Sequence, residues 1–360
     1  ADFDKESRVI KIVEECENIK VANFTITGGN AVSAGCIGGG GILVTHPDLE
    51  YVYDGPVSPV NAVFENLILT DNTAAAGAGI SIWRVSGPTL SNLIIQENTS
   101  EHYGGGLMIF SATVSVTDIT VTGNNCYRND SVGGGMIINN SEATLTNVTV
   151  NDNTASYGGG IFILDTDAAL INLTVSGNTA TFFGGGLFVG ANTNPILTNS
   201  IIWGNDPTQI QGLGTPTITY SDIQGGWNGI GNIDSDPLFC NPDSSDFTLT
   251  ENSPCVGTGE SGANMGALGI GCDALSNDEN TSITPISFVL HQNYPNPFNP
   301  VTTIRYDLPE DGLVNITIYD MMGRQISTLV SGQQTAGYNI VQWNATNTFG
   351  EAVSAGLYLY

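Results

Sequence analysis

NVTVNDNTASYGGGIFIL at residues 147–164 and NLTVSGNTATFFGGGLFV at residues 172–189 are two copies of one pattern. Each opens on an asparagine and a short β-branched run. A second asparagine and a polar turn follow, then three glycines and another apolar run. Looser copies begin at Asn66, Asn92 and Asp118, and a degenerate one at Asn199, so successive starts lie 26, 26, 29, 25 and 27 residues apart. A period that drifts by only a few residues marks stacked supersecondary units. Within one copy, IFIL (161–164) is an apolar strand, ALIN (169–172) a strand that ends at a bend, and LTV its continuation before the longer turn SGNTATFF. Three short strands and three turns make one rung of a triangular coil, each strand pairing with its counterpart one rung on at about 4.8 Å. No rung buries its apolar side alone, so stability comes from stacking neighbours.

The repeated polar residues fit this coil. Asn66, Asn92, Asn147, Asn172 and Asn199 are expected to share one inward bend and to hydrogen-bond from rung to rung as a structural ladder. Asn72, Asn98, Asn124, Asn153, Asn178 and Asn205 form a second file at the start of the longer turn. Asn98, Asn147 and Asn172 head N-x-S/T triplets, but an inward asparagine cannot carry a glycan. The glycine triplets supply positive φ and, with no Cβ, close packing before the strand enters.

Outward from the repeat, residues 8–13 and 19–27 are strand-like and are expected to cover the open end of the core. The first glycine triplet, Gly39–Gly41, stands 38 residues before GAGISIW at 77–83, and the excess falls around residues 45–59. The 360-residue chain is 41% hydrophobic, enough for a sizeable core, and its 45 glycines follow no collagen-like period. Thirty-five acidic residues against eight basic ones give a net charge of −27, and only Arg84 and Arg128 are cationic between Val21 and Ile304. Nucleic acid and anionic membranes are thereby excluded as partners, since phosphate binding needs Lys and Arg. The sequence calls for no cofactor; Ca²⁺ is the one that its acidity admits. No run of about 18 apolar residues exists to span a membrane. No signal peptide is present, and the start at Ala1 beside a strand-like segment suggests a processed or trimmed chain. Six cysteines lie at 16, 36, 126, 240, 255 and 272 without a CxxC or nearby His, which argues against zinc. One disulfide is expected among Cys240, Cys255 and Cys272, its partners left open by spacing, and Cys126 reads as unpaired.

The pattern N-x-[TI]-[VI]-x-x-N…GGG resembles right-handed parallel β-helix proteins, in particular secreted bacterial ones akin to polymorphic outer-membrane repeats. SIIWGN at 200–205 and YSDIQGGWNGIGNIDSDPLF at 220–239 resemble their closing rungs, and SPCVGTGESGANMGALG at 253–269 their terminal segment. The expectation is an all-β chain, a right-handed parallel β-helix solenoid over residues 1–272, a linker at 273–285, and a small Ig-like β-sandwich at 286–360. The last segment, with NYPNPFNP at 293–300, YDMMG at 319–323, Trp343 and Gly356–Tyr358, closely resembles the C-terminal sorting domain of type IX secretion substrates, an Ig-like module related to the flagellar hook-capping fold. The resemblance implies the secretion machinery as a partner and a secreted or cell-surface location in a Gram-negative-type bacterium. Members of that family usually continue past the GLYLY strand to a last strand with a basic ending, whereas this sequence stops at Tyr360: either that tail is absent here, or the sandwich lacks a strand and offers an open edge to a strand from another chain.

Catalytic β-helices of the pectate-lyase kind use clustered carboxylates to hold Ca²⁺ with an Arg or Lys as base, and neither Arg84 nor Arg128 has an evident carboxylate triad. Hydrolysis needs paired acids on adjacent rungs. Asp165 and Asp167 are the best candidates, but the neighbouring rungs offer Asn139, Asn140 and Glu142 on one side and Asn192 on the other. The loop at 45–59 holds His46, Asp48, Glu50, Tyr51, Tyr53 and Asp54, a set suited to sugar binding. Tyr103, Tyr157 and Phe183 each precede a glycine triplet and are expected to align, with His102 alongside; such a file either binds glycan or stabilises turns. Asp222, Asp234 and Asp236, with Asp243 and Asp246 nearby, are candidate Ca²⁺ ligands. The leading expectation is a secreted, surface-associated, non-catalytic protein with an adhesive or structural role, its partners extracellular glycan or neighbouring copies of itself. The alternatives are a polysaccharide-active lyase or hydrolase, and a subunit of a self-assembling extracellular fibre joined by strand exchange.

Overall fold

The computed structural model describes residues 8–13, 19–32, 38–45, 58–273, 288–290, 293, 301–354 and 356–360. The chain divides into two compact units, Ala1–Leu275 and Ser276–Tyr360.

The first unit is the solenoid, with three parallel sheets running along it. The first sheet stacks the strands that follow the glycines, among them Ile80–Trp83, Leu107–Phe110, Met136–Asn139, Ile161–Leu164 and Leu187–Val189. The second stacks the long β-branched strands, including Ala62–Thr70, Val85–Gln96, Thr113–Thr122, Glu142–Asn151 and Ala169–Ser176. The third holds the strands of the longer turn, from Asn30–Ala31 through Thr99–Tyr103 and Thr154–Tyr157 to Thr179–Phe183. Equivalent residues stack in register: Ile82, Ile109, Ile138, Ile163 and Val189 make one inward file, and Leu93, Ile119, Val148 and Leu173 another. All are buried in one continuous core. The alternation of apolar and polar residues is what keeps this register, because a slip by one residue would turn every file outward.

The rungs turn at left-handed backbone positions. Asn66, Asn92, Asp118, Asn147, Asn172 and Asn199, with φ between 51° and 55°, make one corner. Asp71, Glu97 and Asp152, continued by Gly123, Gly177 and Gly204, make a second; Arg84, Ser111, Asn140, Asp165 and Asn192 make the third. Asn, Asp and Gly tolerate this conformation best, and their recurrence at the corners follows from it.

The two asparagine files differ from the expectation in which one faces the core. Asn66 and Asn92 are exposed and Asn147 and Asn172 half-buried, so that file bends outward. Only Asn199 in it is buried. Its amides do bridge successive rungs, Asn92 Nδ2 donating to Asn66 Oδ1 at 2.6 Å and Asn172 Nδ2 to Asn147 Oδ1 at 2.9 Å. The inward ladder is the second file. Asn72, Asn98, Asn153 and Asn178 are wholly buried, each donating through Nδ2 to the Oδ1 of the next rung's asparagine or, for the rung before, receiving there, at 2.9–3.0 Å. The glycine triplets divide their work. The first of each has positive φ, as at Gly133 (67°) and Gly158 (61°). The second allows backbone contact: a Cβ at Gly134 would lie 2.4 Å from the Gly159 carbonyl oxygen.

After the last rungs the chain folds back as a cap, a three-stranded sheet of Phe239–Asn241, Asp246–Thr250 and Ile270–Cys272 set against the outer side of those rungs. Its core joins Ile201 of the solenoid to Phe247, Leu249, Cys255 and Met265. Cys240 and Cys272 are disulfide-bonded, while Cys255 is a buried free thiol. Cys126 is likewise buried and free, its Sγ 2.9 Å from Ser100 Oγ.

The second unit has two three-stranded antiparallel sheets. One contains Val289–Leu290, Thr302–Leu308 and Gly337–Trp343; the other Gly312–Asp320, Gln325–Gln334 and Tyr358–Leu359. Ile304, Tyr306, Leu308 and Trp343 of the first meet Val314, Ile316 and Ile318 of the second in one core. The Trp343 indole N–H donates to the Thr346 carbonyl at 2.9 Å, and its ring stands edge-on to Tyr358. Asp320 closes the YDMMG turn by accepting from the Met322 and Arg324 amides.

Candidate functional site

The third sheet and the outer face of the first meet along one flank of the solenoid. There Phe162 and Phe188 stack with centroids 4.9 Å apart, beside the buried Met108 and Ile137. Tyr103 and Tyr157 lie half-buried over this apolar strip. Tyr103 and Tyr157 belong to one file, but Val132 stands between them, so the rings do not form an unbroken stack. Phe183 pairs with Tyr157 in register. Phe182 and Phe183 are exposed by 45% and 46%, with centroids 5.3 and 6.1 Å from Tyr157. Phe182 escaped the sequence reading, which took the residue directly before the glycines; the Phe-Phe doublet was its visible signal.

Beside these rings the coil swells. Ser100 pairs with Cys126 and Tyr103 with Val132, so residues 127–131 stand where the rung before has only 101–102, and this segment holds the extra length of the 29-residue interval. This bulge carries the exposed half of a polar cluster. Tyr127 Oη donates to Glu101 Oε1 at 2.7 Å, and Arg128 Nη2 to Glu101 Oε2 at 3.2 Å. His102 Nδ1 lies 3.6 Å from Asp130 Oδ1. The hydrogen bond from Tyr127, helped by the Arg128 charge, holds the Glu101 carboxyl below its ordinary value, and the same bond pushes the Tyr127 phenol up. Glu101 thus stays a carboxylate and Tyr127 a phenol. Neither is tuned toward neutral pH, as a general acid or base should be. The arrangement offers flat apolar rings next to hydrogen-bonding groups, the pairing that suits the C–H faces and hydroxyls of a sugar.

The other candidates do not converge into a reacting site. Asp165 is a corner residue (φ 53°), and its amide donates to Thr193 Oγ1 at 2.8 Å. Asp167 accepts from the Asn194 amide at 2.8 Å. Both are exposed in one turn, with Asn139 and Asn140 on the rung before. Arg84 is 1% exposed at its own corner, too buried to meet a polymer. His46, Asp48, Tyr51, Tyr53 and Asp54 lie outside the described residues. Asp222, Asp234 and Asp236 point to different partners: Asp222 is buried and accepts from Cys255 Sγ at 3.1 Å and the Ser235 amide at 3.2 Å. Asp234 accepts from the Gly225 amide and Asp236 from that of Leu238. Among the described residues no three His, Cys, Asp or Glu side chains are grouped to hold a metal ion. Burial, reinforced by Asp234 and Asp236, pushes the Asp222 carboxyl up to about 6.

Stacked parallel rungs and an asparagine ladder define a β-helix protein, followed by a separate antiparallel module. The chain matches the family model of the right handed beta helix region over residues 9–201 and belongs to that family. Residues 292–359 match the secretion system C-terminal sorting domain, which makes the protein a substrate of type IX secretion, located outside the cell or on its surface. No helix among the described residues is long and apolar enough to cross a membrane. No curated protein and no solved structure matches the chain.

Proposed function

We propose that the protein is a non-catalytic, surface-associated β-helix that adheres to extracellular glycan through the flank bearing Tyr157, Phe182 and Phe183. The observation that carries this reading is the pair of exposed phenylalanines beside the bulge at 127–131. Two adjacent large rings left open to water beside Tyr157 form an apolar patch of the kind that marks a contact surface. The polar cluster around Glu101 supplies donors and acceptors at the edge of that patch. The charge states of Glu101 and Tyr127, and the isolation of Asp165 and Asp167, speak against proton-transfer chemistry here.

The test is turnover on a panel of neutral and acidic polysaccharides, with and without Ca²⁺, alongside retention on the same polymers immobilised. Retention without product is the expected outcome. Product formation that disappears in Asp165→Asn or Asp167→Asn would replace adhesion with catalysis.

A further inference from the structure

Where the cap folds back against the last rungs it leaves a cleft of about 720 Å³, on a different part of the solenoid surface from the aromatic flank. Clefts of roughly 300–1,000 Å³ are the usual size of small-molecule sites. Its floor is the second corner file. Asn151, Ser176 and Trp203 are register partners, and Asp152, Gly177 and Gly204 follow them on three successive rungs. Gly177 and Gly204 have φ of 68° and 69°, and a Cβ on Gly177 would stand 2.7 Å from Asp152 Oδ1. The floor is therefore bare backbone ending in a carboxylate, and a side chain at Gly177 would obstruct it.

Ser176 is the telling residue. It is only 6% exposed and lines the cleft, yet its hydroxyl has no hydrogen-bond partner. Its Oγ lies 3.7 Å from where a Cβ on Gly204 would stand, so it points along the open floor. The hydroxyl is therefore left for whatever occupies the cleft, water or a ligand hydroxyl. Half-buried Trp203 is one wall. The cap supplies the facing side, with Phe239 and the exposed carboxylates of Asp236 and Asp243. Asp152 accepts through Oδ2 from Asn151 and Ser245, at 2.7 and 3.3 Å, and keeps Oδ1 for the floor. Asp243 makes no hydrogen bond to the protein. None of the lining residues is Lys, Arg or His.

We propose that this cleft binds a hydroxyl-rich sugar that is neutral or carries a free amine. The indole of Trp203 meets its ring, and Ser176, Asp152 and Asp243 take its hydroxyls. Uronates are repelled by three carboxylates with no cation to offset them. A purely apolar ligand would strip those carboxylates of water without replacing it. The side chains do not converge as a metal cage, so the sugar itself is the ligand.

The experiment is an array of neutral, amine-bearing and uronate oligosaccharides probed with the full chain, followed by calorimetric titration of the members that bind. Wild type is expected to bind neutral or amine-bearing members and to ignore uronates. Asp243→Ala, at an exposed position with no internal bond, is expected to weaken this binding at least tenfold, and Ser176→Val likewise. Leu213→Ala, at an exposed position that lines neither this cleft nor the aromatic flank, is expected to leave it unchanged. Preference for uronates, no binding by any member of the array, or binding indifferent to both Asp243→Ala and Ser176→Val overturns the proposal. Because Asp243→Ala cannot disturb the core, loss of folding does not offer an escape.

Discussion

Replacing Asn153 by alanine should damage the solenoid far more than replacing Asn147, although the two stand six positions apart in the same copy of the repeat. Asn153 is wholly buried. Its Oδ1 accepts from the Asn124 backbone amide at 2.9 Å and from Asn124 Nδ2 at 3.0 Å. Its Nδ2 donates to the carbonyls of Val121 and Asn151 and to Asn178 Oδ1, each at 2.9 Å. Alanine leaves the Asn124 N–H without a partner in the core, at about 1–3 kcal/mol, and forfeits the two N–H donors that the three acceptors of Nδ2 share, at about 1 kcal/mol each. The sum is about 3–5 kcal/mol. Asn147 is half-buried and bridges Asp118 at 2.8 Å and Asn172 at 2.9 Å, where water can substitute. Its alanine variant suffers chiefly from φ of 55°, worth about 1–2 kcal/mol. Urea unfolding followed by tryptophan fluorescence measures both, and hydrogen exchange locates the loss to the rungs around residues 124–178. Equal costs for the two variants, or a larger cost at Asn147, would refute the assignment of the inward ladder.

Two further outcomes concern the cap. Burial raises the Asp222 carboxyl from the ordinary 3.8 to about 6, so the folded chain keeps this proton to a higher pH than the unfolded one. The fold therefore binds the proton more tightly than the unfolded chain, so this contribution is fully present below pH 3.8 and is lost as pH rises through about 6. The cap should lose about 3 kcal/mol between those limits, against the background of Cys255, Asp234 and Asp236, which face the same group. Asp222→Asn should flatten that dependence in pH-resolved thermal melts; an unchanged slope would exclude Asp222 as its source. Breaking the Cys240–Cys272 disulfide, which spans 32 positions, should cost about 3–4 kcal/mol by loop closure. Unfolding of Cys240→Ser with Cys272→Ser against wild type checks this, and a difference below about 1 kcal/mol would contradict the loop-closure figure.

The coil was legible because its corners demand particular residues. Left-handed φ selects Asn, Asp and Gly, and their recurrence reports the rung directly. Which asparagine faces inward was not legible, since Asn147 and Asn153 share one period and only the sense of the bend separates them. The 29-residue interval disclosed extra length, and pairing was needed to locate it at 127–131 and to bring Tyr127 and Arg128 onto Glu101. Tyr103 and Tyr157 could be placed in one file from spacing, but Val132 occupies the swollen rung between them because its strand pairs after the bulge. Among the cysteines, spacing left three pairings open; the cap decides by placing Cys240 and Cys272 on its outer strands and Cys255 in its core. The cleft at Asp152, Trp203 and Asp243 had no local signal at all, because its parts come together only when the cap folds back.

The most direct test of adhesion through the aromatic flank is the equilibrium binding of wild type and the Phe182→Ala/Phe183→Ala double variant to immobilised extracellular polysaccharide. Both side chains are about half exposed, so the double variant should melt within about 1 kcal/mol of wild type. The account predicts at least a tenfold loss of binding in this variant and no soluble product from either protein. Binding that survives the double substitution, or release of product by the wild type, would contradict it.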